Sequence, residues 1–66
     1  MRNIIVNGEK RVVEAATLDA LLALLDYEGS WIATAVNGEI VRRAERNAYA
    51  LADGDRVEIL SPMQGG

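Results

Sequence analysis

In the opening run RNIIVN, residues 2–7, Ile4 and Val6 fall on one side of an extended chain and Ile5 on the other, the alternation of a strand buried on one face. Asn7-Gly8 follows. That dipeptide tolerates positive φ at both centres of a two-residue hairpin turn, so EKRVVEA, residues 9–15, is expected to return as a second strand. It alternates poorly and carries Lys10, Arg11 and Glu14, as suits a strand near a sheet edge.

The period then changes. Leu18, Leu21, Leu22 and Leu25 recur at i, i+3, i+4 and i+7, with Thr17 placed to cap the helix and Asp19 in its first turn, where the dipole favours an anion. The spacing predicts a helix over about 18–27 that stops at Gly29, a residue able to take the left-handed conformation that ends helices. Leu24 lies at the margin of the apolar stripe. In WIATAVNGEIVRR, Ile32, Thr34 and Val36 alternate with Ala33 and Ala35, and Asn37-Gly38 repeats the hairpin signal before a short strand. Residues 44–50 have no clean period and read as a helical turn followed by a crossing segment. Asp53-Gly54-Asp55 supplies a turn, and a final strand points Val57 and Ile59 inward and Leu60 outward.

The element order is hairpin, helix, hairpin, linker, strand. It predicts an α+β fold in which one main helix lies on a mixed sheet of four or five strands. Residues 1–61 form the expected domain and residues 62–66 an extended, flexible tail.

Composition narrows the chemistry. The chain has 66 residues with no cysteine and no histidine, which removes disulfides, thiolate nucleophiles, thiolate zinc sites and the commonest general base. A self-sufficient enzyme is not expected, nor a metal site. A net charge of −3 disfavours binding to a phosphate backbone, so nucleic acid is not an expected partner. No stretch approaches the roughly 18 apolar residues of a membrane helix. The amino-terminal MRNIIVNGEK turns polar too soon for a secretory signal, and the cytoplasm is the expected location.

Chemistry is concentrated in the last two residues. Without Cβ atoms, an extended Gly65-Gly66 can pass through a channel too narrow for side chains and present a main-chain carboxylate to another protein's active site. The five residues after Ser61 reach on the order of 16 Å when extended. Pro62 lacks an amide donor, which ends sheet pairing and releases the remaining residues as a thread. Leu60, Pro62 and Met63 form an expected apolar docking patch at the base of that thread.

Taken together, the small sheet with its one helix, the segment AVNGEIV, the turn and strand DGDRVEIL and the terminal Gly-Gly resemble the ubiquitin-like β-grasp sulfur carriers, most closely the ThiS family of bacterial thiamin biosynthesis. The resemblance spans essentially the whole chain. It implies that the Gly66 carboxylate is adenylylated from ATP inside a ThiF-type adenylating enzyme, that sulfur from a cysteine desulfurase route replaces the adenylate to give a thiocarboxylate, and that thiazole synthase (ThiG) takes the sulfur. It implies a protein cosubstrate that binds no cofactor itself, ATP being consumed by the partner. The segment Ser61-Pro62-Met63-Gln64 departs from the longer apolar approach or extra glycine of many family members. Two alternatives stand beside this one: a MoaD-like carrier for molybdopterin synthase or another sulfur pathway, and a β-grasp interaction module, such as a TGS-like domain, that is never activated.

Other residues carry weaker signals. Arg42, Arg43 and Arg46 make the only basic cluster and are expected to form a solvated face, with steering toward an acidic partner surface as the functional option. Asp53 and Asp55 flank a glycine but lack the further oxygen ligands of a calcium loop, which favours a plain turn. Tyr27 and Trp31 are expected to pack at the core or rim over the helix end, with a partner surface as the functional option. Glu39 and Glu45 have no paired base for acid–base work.

Overall fold

The structure, a computed structural model, describes residues 1–27 and 32–60. Strands β1 (Arg2–Val6) and β2 (Glu9–Val13) form the first hairpin, helix α1 (Leu18–Leu24) follows, and strands β3 (Ala33–Val36) and β4 (Glu39–Val41) form the second hairpin. A 3-10 helix, Arg43–Ala48, precedes strand β5 (Arg56–Leu60). The five strands lie in the order β2-β1-β5-β3-β4. β5 therefore occupies the centre, parallel to β1 and antiparallel to β3. This is the ubiquitin-like β-grasp arrangement, with one helix laid across a mixed sheet.

Both Asn-Gly dipeptides make the predicted turns. Asn7 and Gly8 have φ of 49° and 85°, and Asn37 and Gly38 have φ of 53° and 85°, the paired positive values of a type I′ hairpin. The turn fixes register, and register fixes faces. Ile4, Val6, Val36, Val41, Val57 and Ile59 point to the helix side and are buried with Leu18, Leu21, Leu22, Val13 and Leu51. β2 is an edge strand with only Val13 buried, in keeping with its charged and irregular sequence.

Thr17 caps α1 as expected, its Oγ1 accepting from the Ala20 N–H at 3.2 Å. The carboxyl end differs from the prediction. The helix closes at Leu24, well before Gly29, and Asp26 takes the left-handed conformation, with φ of 68°. The Tyr27 N–H donates to the Leu22 carbonyl at 2.9 Å and the Asp26 N–H to the Ala23 carbonyl at 3.2 Å, the paired bonds of a Schellman closure. Aspartate is among the few residues other than glycine that visit this conformation, and Tyr27, next in the chain, packs half-buried against the core. Gly29 and Trp31 lie outside the described residues.

The crossing segment is tied at several points. Leu18 and Leu51 N–H groups donate to the Tyr49 and Ala16 carbonyls, both at 2.9 Å, and Arg2 Nε donates to the Leu51 carbonyl at 3.0 Å. At the Ala52–Asp55 turn, Gly54 has φ of 89°, as the third position of a type II turn requires.

Candidate functional site

β5 is both the central strand and the last described element, so its carboxyl end is where the sheet meets the predicted tail. Leu60 closes it. With Val57 and Ile59 committed to the core, alternation turns Leu60 to the outer face of the sheet, where it is 68% exposed. Ala33 lies opposite it on β3, and Ala35 lies opposite Ile40 on β4. Ile40 is 81% exposed.

Leu60, Ala33, Ala35 and Ile40 thus share the outer face of three adjacent strands, away from the helix. The alanines leave the ground between the two large side chains low. Burying either exposed side chain against a partner gains about 1.5–3 kcal/mol, and their exposure on one sheet face, with Glu58 level with Ile40, makes this face the strongest docking candidate among the described residues.

Of the predicted site residues, Leu60 stands where alternation put it. Pro62, Met63, Gly65 and Gly66 lie outside the described residues. Ile40 and the alanines were missed as site residues, although the signal was present. A type I′ turn at Asn37-Gly38 pairs Val36 with Glu39 and Thr34 with Val41, which sends Val41 inward and Ile40 outward.

The basic cluster divides. Arg42 and Arg43 are exposed, but Arg46 is buried at 4% exposure and is no part of a solvated face. Its Nε donates to Thr34 Oγ1 at 3.0 Å and an Nη donates to the Ile32 carbonyl at 2.7 Å, while Thr34 Oγ1 donates to the Val41 carbonyl at 2.8 Å. The short 3-10 helix brings this arginine back under the second hairpin, a tertiary placement that the charge pattern does not encode.

Asp53 and Asp55 serve the turn. Asp53 accepts from the Asn3 N–H at 2.7 Å, and Asp55 accepts from the Ala52 N–H at 2.9 Å and from the Asn37 side chain at 3.0 Å. Among the described residues no group of three or more acidic side chains is placed to hold a metal ion, and no helix is long and apolar enough to cross a membrane. Glu39 and Glu45 are exposed.

The family model of the ThiS family matches residues 4–66, nearly the whole sequence and through the final glycine. The chain belongs to the ThiS family. It is 38% identical over 61 residues to the sulfur carrier protein ThiS of Thermus thermophilus, a match covering 92% of this chain and 95% of that one. It is also 36% identical over 64 residues to a thiazole synthase of Paramagnetospirillum magneticum, where the match covers 96% of this chain but only 20% of the much longer relative. The crystal structure of the thiamine biosynthesis protein ThiS from Geobacter metallireducens superposes with a TM-score of 0.79 at 34% identity, covering 97% of this chain and 99% of that one. ThiS membership thus agrees with the β-grasp topology, and the residues that carried the resemblance, AVNGEIV and DGDRVEIL, form the second hairpin and the turn leading into β5.

Proposed function

We propose that this chain is a sulfur carrier of thiamine biosynthesis whose reactive group is the main-chain carboxylate of Gly66. The observation that carries this is the ThiS family match running through Gly65 and Gly66, supported by the 38% identity to a sulfur carrier protein ThiS over nearly the full length of both. The body acts as a handle and supplies no catalytic side chain; the chain is a cosubstrate and the enzymes are its partners.

A carboxylate is a poor electrophile, so it must first be activated. In a ThiF-type adenylating enzyme a Gly66 oxygen attacks the α-phosphorus of ATP, the α–β anhydride bond breaks, and pyrophosphate leaves. The terminal sulfur of a persulfide, charged by a cysteine desulfurase, then attacks the acyl carbon and expels AMP. A second thiol attacks the outer sulfur of the resulting acyl disulfide, forming a new disulfide with the thiol that carried the persulfide and releasing the thiocarboxylate on Gly66. Glycine suits both steps because no Cβ obstructs the approach of either nucleophile or the passage of the chain into a narrow cleft.

Thiazole synthase is the proposed sulfur acceptor. The support is that one thiazole synthase contains a segment 36% identical to this chain. Leu60, at the end of the central strand, and Ile40, on edge strand β4 of the same sheet face, are the proposed anchors for the adenylating enzyme.

The test is ATP–pyrophosphate exchange by a ThiF-type enzyme at increasing concentration of this chain. Saturable exchange that vanishes when Gly66 is deleted supports the assignment; exchange that is indifferent to Gly66 removes it.

A further inference from the structure

Both Asn-Gly turns also use their asparagine side chains, and both act on β5 from opposite sides. Asn37 Oδ1 accepts from the Arg56 N–H at 3.0 Å, at the start of the strand. Asn7 acts at its end: Oδ1 accepts from the Ile59 N–H at 2.8 Å and Nδ2 donates to the Ile59 carbonyl at 3.2 Å.

The second arrangement fills a gap in the ladder. Along β5 the odd residues turn their backbone groups toward β1, since the Ile5 N–H donates to the Asp55 carbonyl and the Asn7 N–H to the Val57 carbonyl, each at 2.9 Å. The even residues face β3, as the Asn37 N–H donating to the Arg56 carbonyl at 2.7 Å shows. Ile59 is next in the odd series. β1 ends at Val6 and the chain turns back at Asn7-Gly8, so no β1 backbone is left to pair with Ile59. The Asn7 side-chain amide, one acceptor and one donor held like a peptide group, takes the place of the missing rung. A type I′ turn at this position also admits glycine or aspartate, but neither supplies the paired acceptor and donor that the Asn7 amide gives Ile59.

We propose that Asn7 is a positioning residue for the carrier reaction. It holds the last rung of β5 on the β1 side, and so fixes the backbone at Ile59, one residue before the last described position, at the strand end that precedes the reactive tail. This rests on the carrier assignment above. A carrier whose strand end is already ordered pays less conformational entropy when residues 61–66 enter the adenylating enzyme.

Asn7→Gly keeps the positive φ and removes the amide; Asn7→Asp keeps the turn and the acceptor and loses the donor. Amide hydrogen exchange of Ile59 and of Leu21 is compared in each, alongside ATP–pyrophosphate exchange by a ThiF-type enzyme. In Asn7→Gly, Ile59 exchanges faster while Leu21 holds its wild-type rate. The KM for the carrier rises about fivefold, the cost of ordering roughly one more residue, and kcat stays within about twofold. Asn7→Asp moves in the same direction by less, and it serves alone if the glycine variant does not fold. A wild-type KM in a folded variant overturns the proposal while leaving the carrier assignment intact. Absence of exchange with the wild-type chain overturns both.

Discussion

Arg46 donates through Nε to Thr34 Oγ1 at 3.0 Å, with both residues buried beneath the second hairpin. The hydroxyl donates its own hydrogen bond to the Val41 carbonyl, and the same guanidinium holds the Ile32 carbonyl. The charged fork therefore ties the start of β3, next to Ala33, to the end of β4, beneath the surface that carries Leu60 and Ile40. Arg46→Lys cannot span these acceptors with a single ammonium group and should cost about 2 kcal/mol. Thr34→Val leaves a buried N–H donor without its partner and should cost about 1–2 kcal/mol. Urea unfolding of both variants and of the double variant should give a coupling of about 1 kcal/mol, whereas additive losses would separate the two residues.

Asp26 occupies the left-handed position that closes α1. Asp26→Gly relieves its backbone and should leave stability equal or higher by up to about 1 kcal/mol. Asp26→Val puts a β-branched residue at positive φ and should lower it by about 1–2 kcal/mol. Thermal unfolding checks the order Gly, Asp, Val; a valine variant as stable as wild type would mean that the closure contributes nothing.

Leu60 and Ile40 are exposed on the same sheet face and carry no core packing. Leu60→Asp and Ile40→Asp should each weaken binding to a ThiF-type enzyme about tenfold or more, because a charge replaces an apolar anchor, while the melting temperature stays near wild type. Calorimetric titration of the folded variants decides it, and wild-type affinity in both would remove this face from the interface.

Local rules made most of the fold legible. The two Asn-Gly turns, the Thr17 cap and the leucines at 18, 21 and 22 each act within a few residues and appear where the pattern puts them, whereas Leu25 falls at the C-cap and is half-buried. Alternation likewise placed Leu60 outward. Features missed depended on tertiary partners. Burial of Arg46 requires Thr34, Ile32 and the 3-10 helix to meet, and the second use of Asn7 requires β5, more than fifty positions away, to lie beside β1. Asp26 displaced Gly29 as the helix stop because the Schellman bonds to Leu22 and Ala23 close a shorter helix than the leucine period allows. Ile40 was within reach, since the turn that fixes Val41 inward fixes its neighbour outward.

The carrier assignment rests on one functional group, and intact mass spectrometry reads it directly. The purified chain is incubated with a ThiF-type enzyme, ATP and a persulfide sulfur donor. The expected result is a mass gain equal to exchange of one oxygen for sulfur, located at Gly66 and absent when Gly66 is deleted or followed by a further residue. An unchanged mass, with the same enzyme active on another ThiS-family carrier, would contradict it.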